Sequence, residues 1–140
     1  MTRWRAASPY LLTALLAGAG ATHFVRPGFY DAIVPHALPG SARSWTYGSG
    51  VVELAVAAAV ASPRTRSRGA LVAALLFVAV FPANIQMALD ADSAAEKAIA
   101  YGRLPLQLPL VLWAWRLRRD THAQVFDNPP PVRHDDQRRS

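Results

Sequence analysis

Glu53 lies near the middle of an otherwise uncharged apolar run, residues 45–61. An acid at the centre of a membrane helix costs about 2.5–3.5 kcal/mol on insertion scales, so it needs polar partners. The other apolar runs offer His23, Asn84, Gln86 and Gln107. A carboxyl, an imidazole and carboxamides in apolar surroundings can grip a small ligand, tie helices together, or move a proton. Tyr47, at the aromatic entrance to the Glu53 run, adds a phenol. The candidate ligand-binding set is therefore Glu53, Asn84, His23, Gln107 and Tyr47.

Four apolar runs must position these groups: 9–25, 45–61, 69–89 and 104–117. A helix needs about 20 residues to cross a bilayer, within a range of about 17–25. The third run meets this alone, the first two sit at the low end, and the fourth is short. A soluble four-helix bundle would need a charged face on each helix, yet 10–25 and 69–89 carry no charge. The expected fold is all-α, a four-helix transmembrane bundle over residues 1–119. Residues 120–140, with Pro129-Pro130-Pro131 and mixed charges, read as a disordered cytoplasmic tail. The first run follows Arg3 and Arg5 as a secretory signal would, but Thr22-His23-Phe24 is a poor cleavage site, so a retained helix is expected.

The formal net charge is +6, and its distribution argues against nucleic acid. Arg3 and Arg5 precede the first run; Arg64, Arg66 and Arg68 separate the second and third; Arg116, Arg118 and Arg119 follow the fourth. The opposite loops mix Arg26, Arg43, Lys97 and Arg103 with Asp31, Asp90, Asp92 and Glu96. This is the positive-inside pattern, placing both termini in the cytoplasm. The long outer loop, 26–44, is rich in proline, and its apolar residues fit a segment folded onto the bundle rim. Pro82 should kink the third helix. Residues 90–103 read as a short outer helix, with Pro105 in the first turn of the fourth span.

Topology then sets depth. Glu53 lies six residues beyond Tyr47, roughly 9 Å below the outer interface at 1.5 Å per residue. Asn84 lies about 7 Å from the same surface, five residues before Leu89. His23 and Gln107 close the outer ends of their runs, so all four helices carry polar groups toward one side. Each also has a structural reading: Glu53 hydrogen-bonded to Asn84 as interhelical glue, His23 as an interfacial residue, Gln107 as a cap, and Gln86 facing the loop.

Several chemistries are excluded. With no cysteine the chain forms no disulfide and holds no cysteine-ligated iron–sulfur cluster. His23 is the only histidine in or near a span, so bis-histidine haem ligation within the bundle is not available. His23, Asp31 and His36 match no metal-ligand spacing, and no metal site is expected.

Several segments resemble the DoxX-like family of small membrane proteins. They are His23-Phe24 with Pro27, Tyr30 and Ile33-Val34-Pro35; Tyr47-x-Ser49-Gly50-x-x-Glu53; and Pro63-Arg64-Thr65-Arg66. Val80-Phe81-Pro82-Ala83-Asn84 with Met87-Ala88, and Leu104-Pro105-Leu106-Gln107, extend the likeness over most of the chain. His36 departs from it, since a second proline often follows the first at that point. The resemblance implies a multi-pass protein of the bacterial cytoplasmic (inner) membrane, of a kind associated with thiosulfate:quinone and quinol oxidase complexes. It implies no catalytic residues.

The functional expectation is a non-catalytic membrane subunit that binds a small apolar ligand such as a quinone near the outer leaflet, beside a redox protein partner. Protonated Glu53, Asn84 and His23 would donate to its carbonyl oxygens. The alternative is a structural or assembly role in which a Glu53–Asn84 cluster only locks the helices. Solute or proton movement ranks below both, because the inner half of the bundle is alanine, leucine and valine. Expected partners are membrane lipid, the redox protein and a second copy of the chain; nucleic acid is not among them.

Overall fold

The computed structural model describes residues 3–127, and these are all helical or loop. Six helices follow in order: α1 (Arg3–Val25), α2 (Pro27–Asp31), α3 (Ala42–Ala61), α4 (Arg66–Ala79), α5 (Phe81–Leu89) and α6 (Ala94–Asp127). The long helices pack in a row, α1 on α3, α3 on α4 and α4 on α6, whereas α1 and α6 barely touch.

Local chemistry sets most boundaries. Ser41 caps α3, its Oγ accepting from the Ser44 N–H at 3.2 Å. Pro63, two residues past Ala61, prevents continuation of α3. The Arg66 guanidinium then reaches back, donating to the Val60 and Ala61 carbonyls at 3.0 Å each, which satisfies end carbonyls that the helix itself leaves open. Between α4 and α5 the helix breaks at Val80, with Pro82 in the opening turn of α5. The expected kink is present.

The start of α6 differs from expectation. Ser93 and Glu96 form a capping box, with Ser93 N–H donating to Glu96 Oε2 at 2.9 Å and Glu96 N–H to Ser93 Oγ at 3.2 Å. Those backbone bonds hold the Glu96 carboxyl below its ordinary range. The box nucleates the helix at Ala94, so residues 94–103 are continuous with the fourth apolar run, and Pro105 lies inside α6. At its other end α6 continues to Asp127, into the segment expected as a tail; residues 128–140 lie outside the described residues.

The interior is small and the exterior apolar. Leu12, Leu16, Val56, Val60, Phe77 and Leu117 pack with Ala57, Ala70, Ala73, Ala74 and Ala114. Outward, Leu11, Leu15, Val51, Val52, Val72, Leu75, Val78, Leu106, Leu108 and Leu112 are exposed. Among the described residues one helical stretch, Arg66–Leu89, is long and apolar enough to cross a membrane by length and composition.

Helix α1 meets α3 at a glycine crossing. A Cβ on Gly50 would stand 2.7 Å from Phe24 Cε2 and 2.8 Å from His23 Cβ. Without that Cβ the backbones approach closely, and this approach brings His23 against the Glu53 turn of α3.

Candidate functional site

Two polar pairs occupy the end of the bundle that carries the long loop. In the first, His23 Nδ1 lies 3.4 Å from Glu53 Oε2, with both side chains buried. His23 Nδ1 also lies 2.9 Å from the Ala19 carbonyl. A carbonyl only accepts, so the neutral ring carries its proton on Nδ1. Glu53 Oε2, although buried, makes no hydrogen bond. The Tyr30 ring stacks on the imidazole with centroids 3.6 Å apart, and its hydroxyl lies 2.6 Å from Thr22 Oγ1.

In the second pair, Asn84 Nδ2 donates to Gln107 Oε1 at 2.8 Å. Gln107 Nε2 in turn donates to the Phe77 carbonyl. Phe77 lies in the last turn of α4, where carbonyls lose their helical partners. The pair therefore bridges α5 to α6 and closes the backbone gap created at the helix break. The partner expected for Asn84 was Glu53, but no hydrogen bond joins them; the shorter reach is to Gln107, across the α5–α6 contact.

Between the pairs lies a cavity of about 540 Å³. His23, Glu53, Asn84 and Arg103 contribute polar side chains to its wall. Leu76, Val80 and Pro82 from the helix break, with Ile33, Val34 and Leu38 from the long loop, supply apolar lining. The loop is pinned over the cavity by Trp45, whose Nε1 donates to the Pro39 carbonyl at 2.7 Å. It is pinned again by Asp31, which accepts from Thr46 Oγ1 at 2.6 Å and from Arg43 Nε at 2.8 Å. The Thr46 bond first, and Arg43 beside it, hold the Asp31 carboxyl below its ordinary range.

Of the residues singled out from sequence, His23, Glu53 and Asn84 line this cavity, and Gln107 stands behind Asn84. Tyr47 does not reach it. Its ring stacks on Phe24 at 5.4 Å and lies under Arg43, on the rim. Gln86 faces outward to Asp90 at 2.8 Å. Sequence reasoning missed Tyr30, Thr46 and Arg103 as parts of the site. For Arg103 the available signal was its place one helical turn before Gln107, which becomes informative only once α6 is known to be continuous.

A family model described as a domain of unknown function (DUF8561) matches residues 12–118. The chain belongs to the DUF8561 family. The matched region runs from α1 through the apolar part of α6 and contains both polar pairs. It also corrects the likeness to DoxX-like proteins, since the family shown is a different one. The short segments behind that likeness have local physical reasons here: Gly50 permits the α1–α3 approach, Pro82 opens a helix, and Tyr47 stacks on Phe24 between α3 and α1. Association with a redox complex, implied only by that likeness, finds no support in the DUF8561 match. No curated protein and no solved structure matches the DUF8561 chain.

Proposed function

We propose that this DUF8561 protein is a multi-pass membrane protein with its arginine-rich end in the cytoplasm, and that the cavity between its polar pairs binds a small, mostly apolar ligand with a polar end. The observation that carries the binding role is Glu53 Oε2, a buried oxygen without a hydrogen bond, on a residue of the cavity wall. Leaving a buried polar group unsatisfied costs about 1–3 kcal/mol, and a ligand hydroxyl or amine would relieve that cost. The multi-pass reading is supported by the apolar exterior of all four long helices. Contiguous apolar surface on this scale is unfavourable in water, and a small-residue interior is how membrane helices pack closely.

A quinol fits the cavity's chemistry: an apolar ring against Leu76, Val80 and Ile33, and a ring hydroxyl donating to Glu53 Oε2. The role is binding, for delivery or storage within the membrane. The test is retention of a short-chain quinol by detergent-purified protein, read by mass spectrometry. Retention in the parent protein and in Tyr47→Phe, with loss in a folded Glu53→Leu variant, is the expected result. Equal retention in Glu53→Leu would defeat the reading.

A structural role is favoured for one part of the polar set. Asn84 and Gln107 are hydrogen-bonded to each other and to the α4 backbone, which is what a helix lock requires.

A further inference from the structure

A second cavity, of about 600 Å³, opens at the opposite, basic end of the bundle. It sits in the seam where α1 and α6 barely touch. Trp113 spans that seam, its Nε1 donating to Ser8 Oγ at 2.7 Å and its ring stacked near Trp4 with centroids 6.3 Å apart. Three arginines line the cavity, one from each of α1, α4 and α6: Arg5, Arg66 and Arg116. Arg66 is committed to the α3 carbonyls. Arg5 and Arg116 are exposed and make no hydrogen bond or ion pair among the described residues. Asp120, on the same wall, pairs with neither of them.

Two unpartnered guanidinium groups beside the single carboxylate of Asp120 leave the site net positive, with room for a second anion. Guanidinium forks suit phosphate oxygens. Leu112 on the same wall and the open α1–α6 seam provide an apolar path leading away from the charges. Tryptophans at this position match the headgroup level of a bilayer. We infer that the α1–α6 seam holds an anionic phospholipid, its phosphodiester between Arg5 and Arg116, a headgroup hydroxyl toward Asp120, and an acyl chain along the seam. Free phosphate shares the anion chemistry but would leave the apolar path unused. The inference rests on the membrane reading above, but not on a ligand in the outer cavity.

The protein is reconstituted in nanodiscs with equal phosphatidylglycerol and phosphatidylcholine, then released into mild detergent, and retained lipid is counted by native mass spectrometry. Two arginines should enrich phosphatidylglycerol by roughly 25-fold, about fivefold each. Arg5→Gln with Arg116→Gln should bring the ratio near parity, whereas Arg43→Gln at the other end should leave it unchanged. Parity in the parent protein overturns the inference, and so does unchanged enrichment in the double variant. Displacement of the lipid by glycerol phosphate at equal concentration overturns the lipid assignment. If the double variant does not fold, brominated lipids decide with the parent protein: stronger tryptophan quenching by brominated phosphatidylglycerol than by brominated phosphatidylcholine supports the site, and equal quenching refutes it. Loss of quinol retention in Glu53→Leu with phosphatidylglycerol enrichment intact separates the two cavities.

Discussion

The two polar pairs at the loop end of the bundle have the same ingredients and opposite states. Asn84 and Gln107 bond to each other and to the Phe77 carbonyl, so they close a backbone gap. His23 and Glu53 stand 3.4 Å apart with a buried carboxyl oxygen left unbonded. The difference lies in the backbone. The α4–α5 break supplies a carbonyl for Gln107 to satisfy, so both carboxamides are used, whereas His23 directs its Nδ1 proton to the Ala19 carbonyl of its own helix and leaves none for Glu53. On the reading proposed above, the satisfied pair beside the break is a lock and the unsatisfied pair beside the cavity is a receptor.

That contrast can be broken by substitution. The largest effect is expected for Gln107→Leu, which strands both the Asn84 amide and the Phe77 carbonyl. It should cost about 2 kcal/mol or more in thermal or denaturant unfolding, since each stranded group costs about 1–3 kcal/mol. Glu53→Leu should cost nothing or stabilise the ligand-free protein, because it removes the unbonded oxygen. Equal destabilisation by the two would erase the distinction between lock and receptor.

Gly50→Ala comes next. Its Cβ meets Phe24 and His23, and overpacking of this kind costs about 1–3 kcal/mol. It should separate α1 from α3 and weaken quinol retention while leaving the Asn84–Gln107 bond in place; unaltered retention would mean that the His23–Glu53 approach is irrelevant to binding. A double-mutant cycle on Asn84 and Gln107 should then return a coupling of about 0.6–1.7 kcal/mol, the range for polar contacts between membrane helices. Coupling between Glu53 and Asn84 should be near zero.

The smallest expected effect is on pH response. The Glu96 carboxyl is held below its ordinary value by the Ser93 and Asp92 N–H groups. A depressed carboxyl adds stability that is present above the unfolded value and is lost as pH falls through the folded one. Acidification below the usual glutamate range should therefore fray the start of α6, read as faster amide exchange at residues 94–97. The Asn84–Gln107 lock contains no titrating group and should not respond. Fraying that spreads to Gln107 would show that the two regions are coupled.

The helices themselves were legible along the chain. Uncharged runs, Pro63 as a stop and Pro82 as a break each act within a few residues, so their consequences could be read without knowing the fold. The placement of arginine at alternate connections anticipated that Arg5, Arg66 and Arg116 would share one end of the bundle, as they do. The Ser93–Glu96 capping box was equally local, and overlooking it misplaced the start of α6. Partner choice was not local. Glu53 and Asn84 lie at similar depth, so either could have been the other's partner by that criterion. Which groups meet depends on helix rotation and on backbone approach at Gly50, both set by packing between residues far apart in the chain. The same packing leaves α1 and α6 apart, and from that gap comes a basic cavity that no single stretch of sequence could announce.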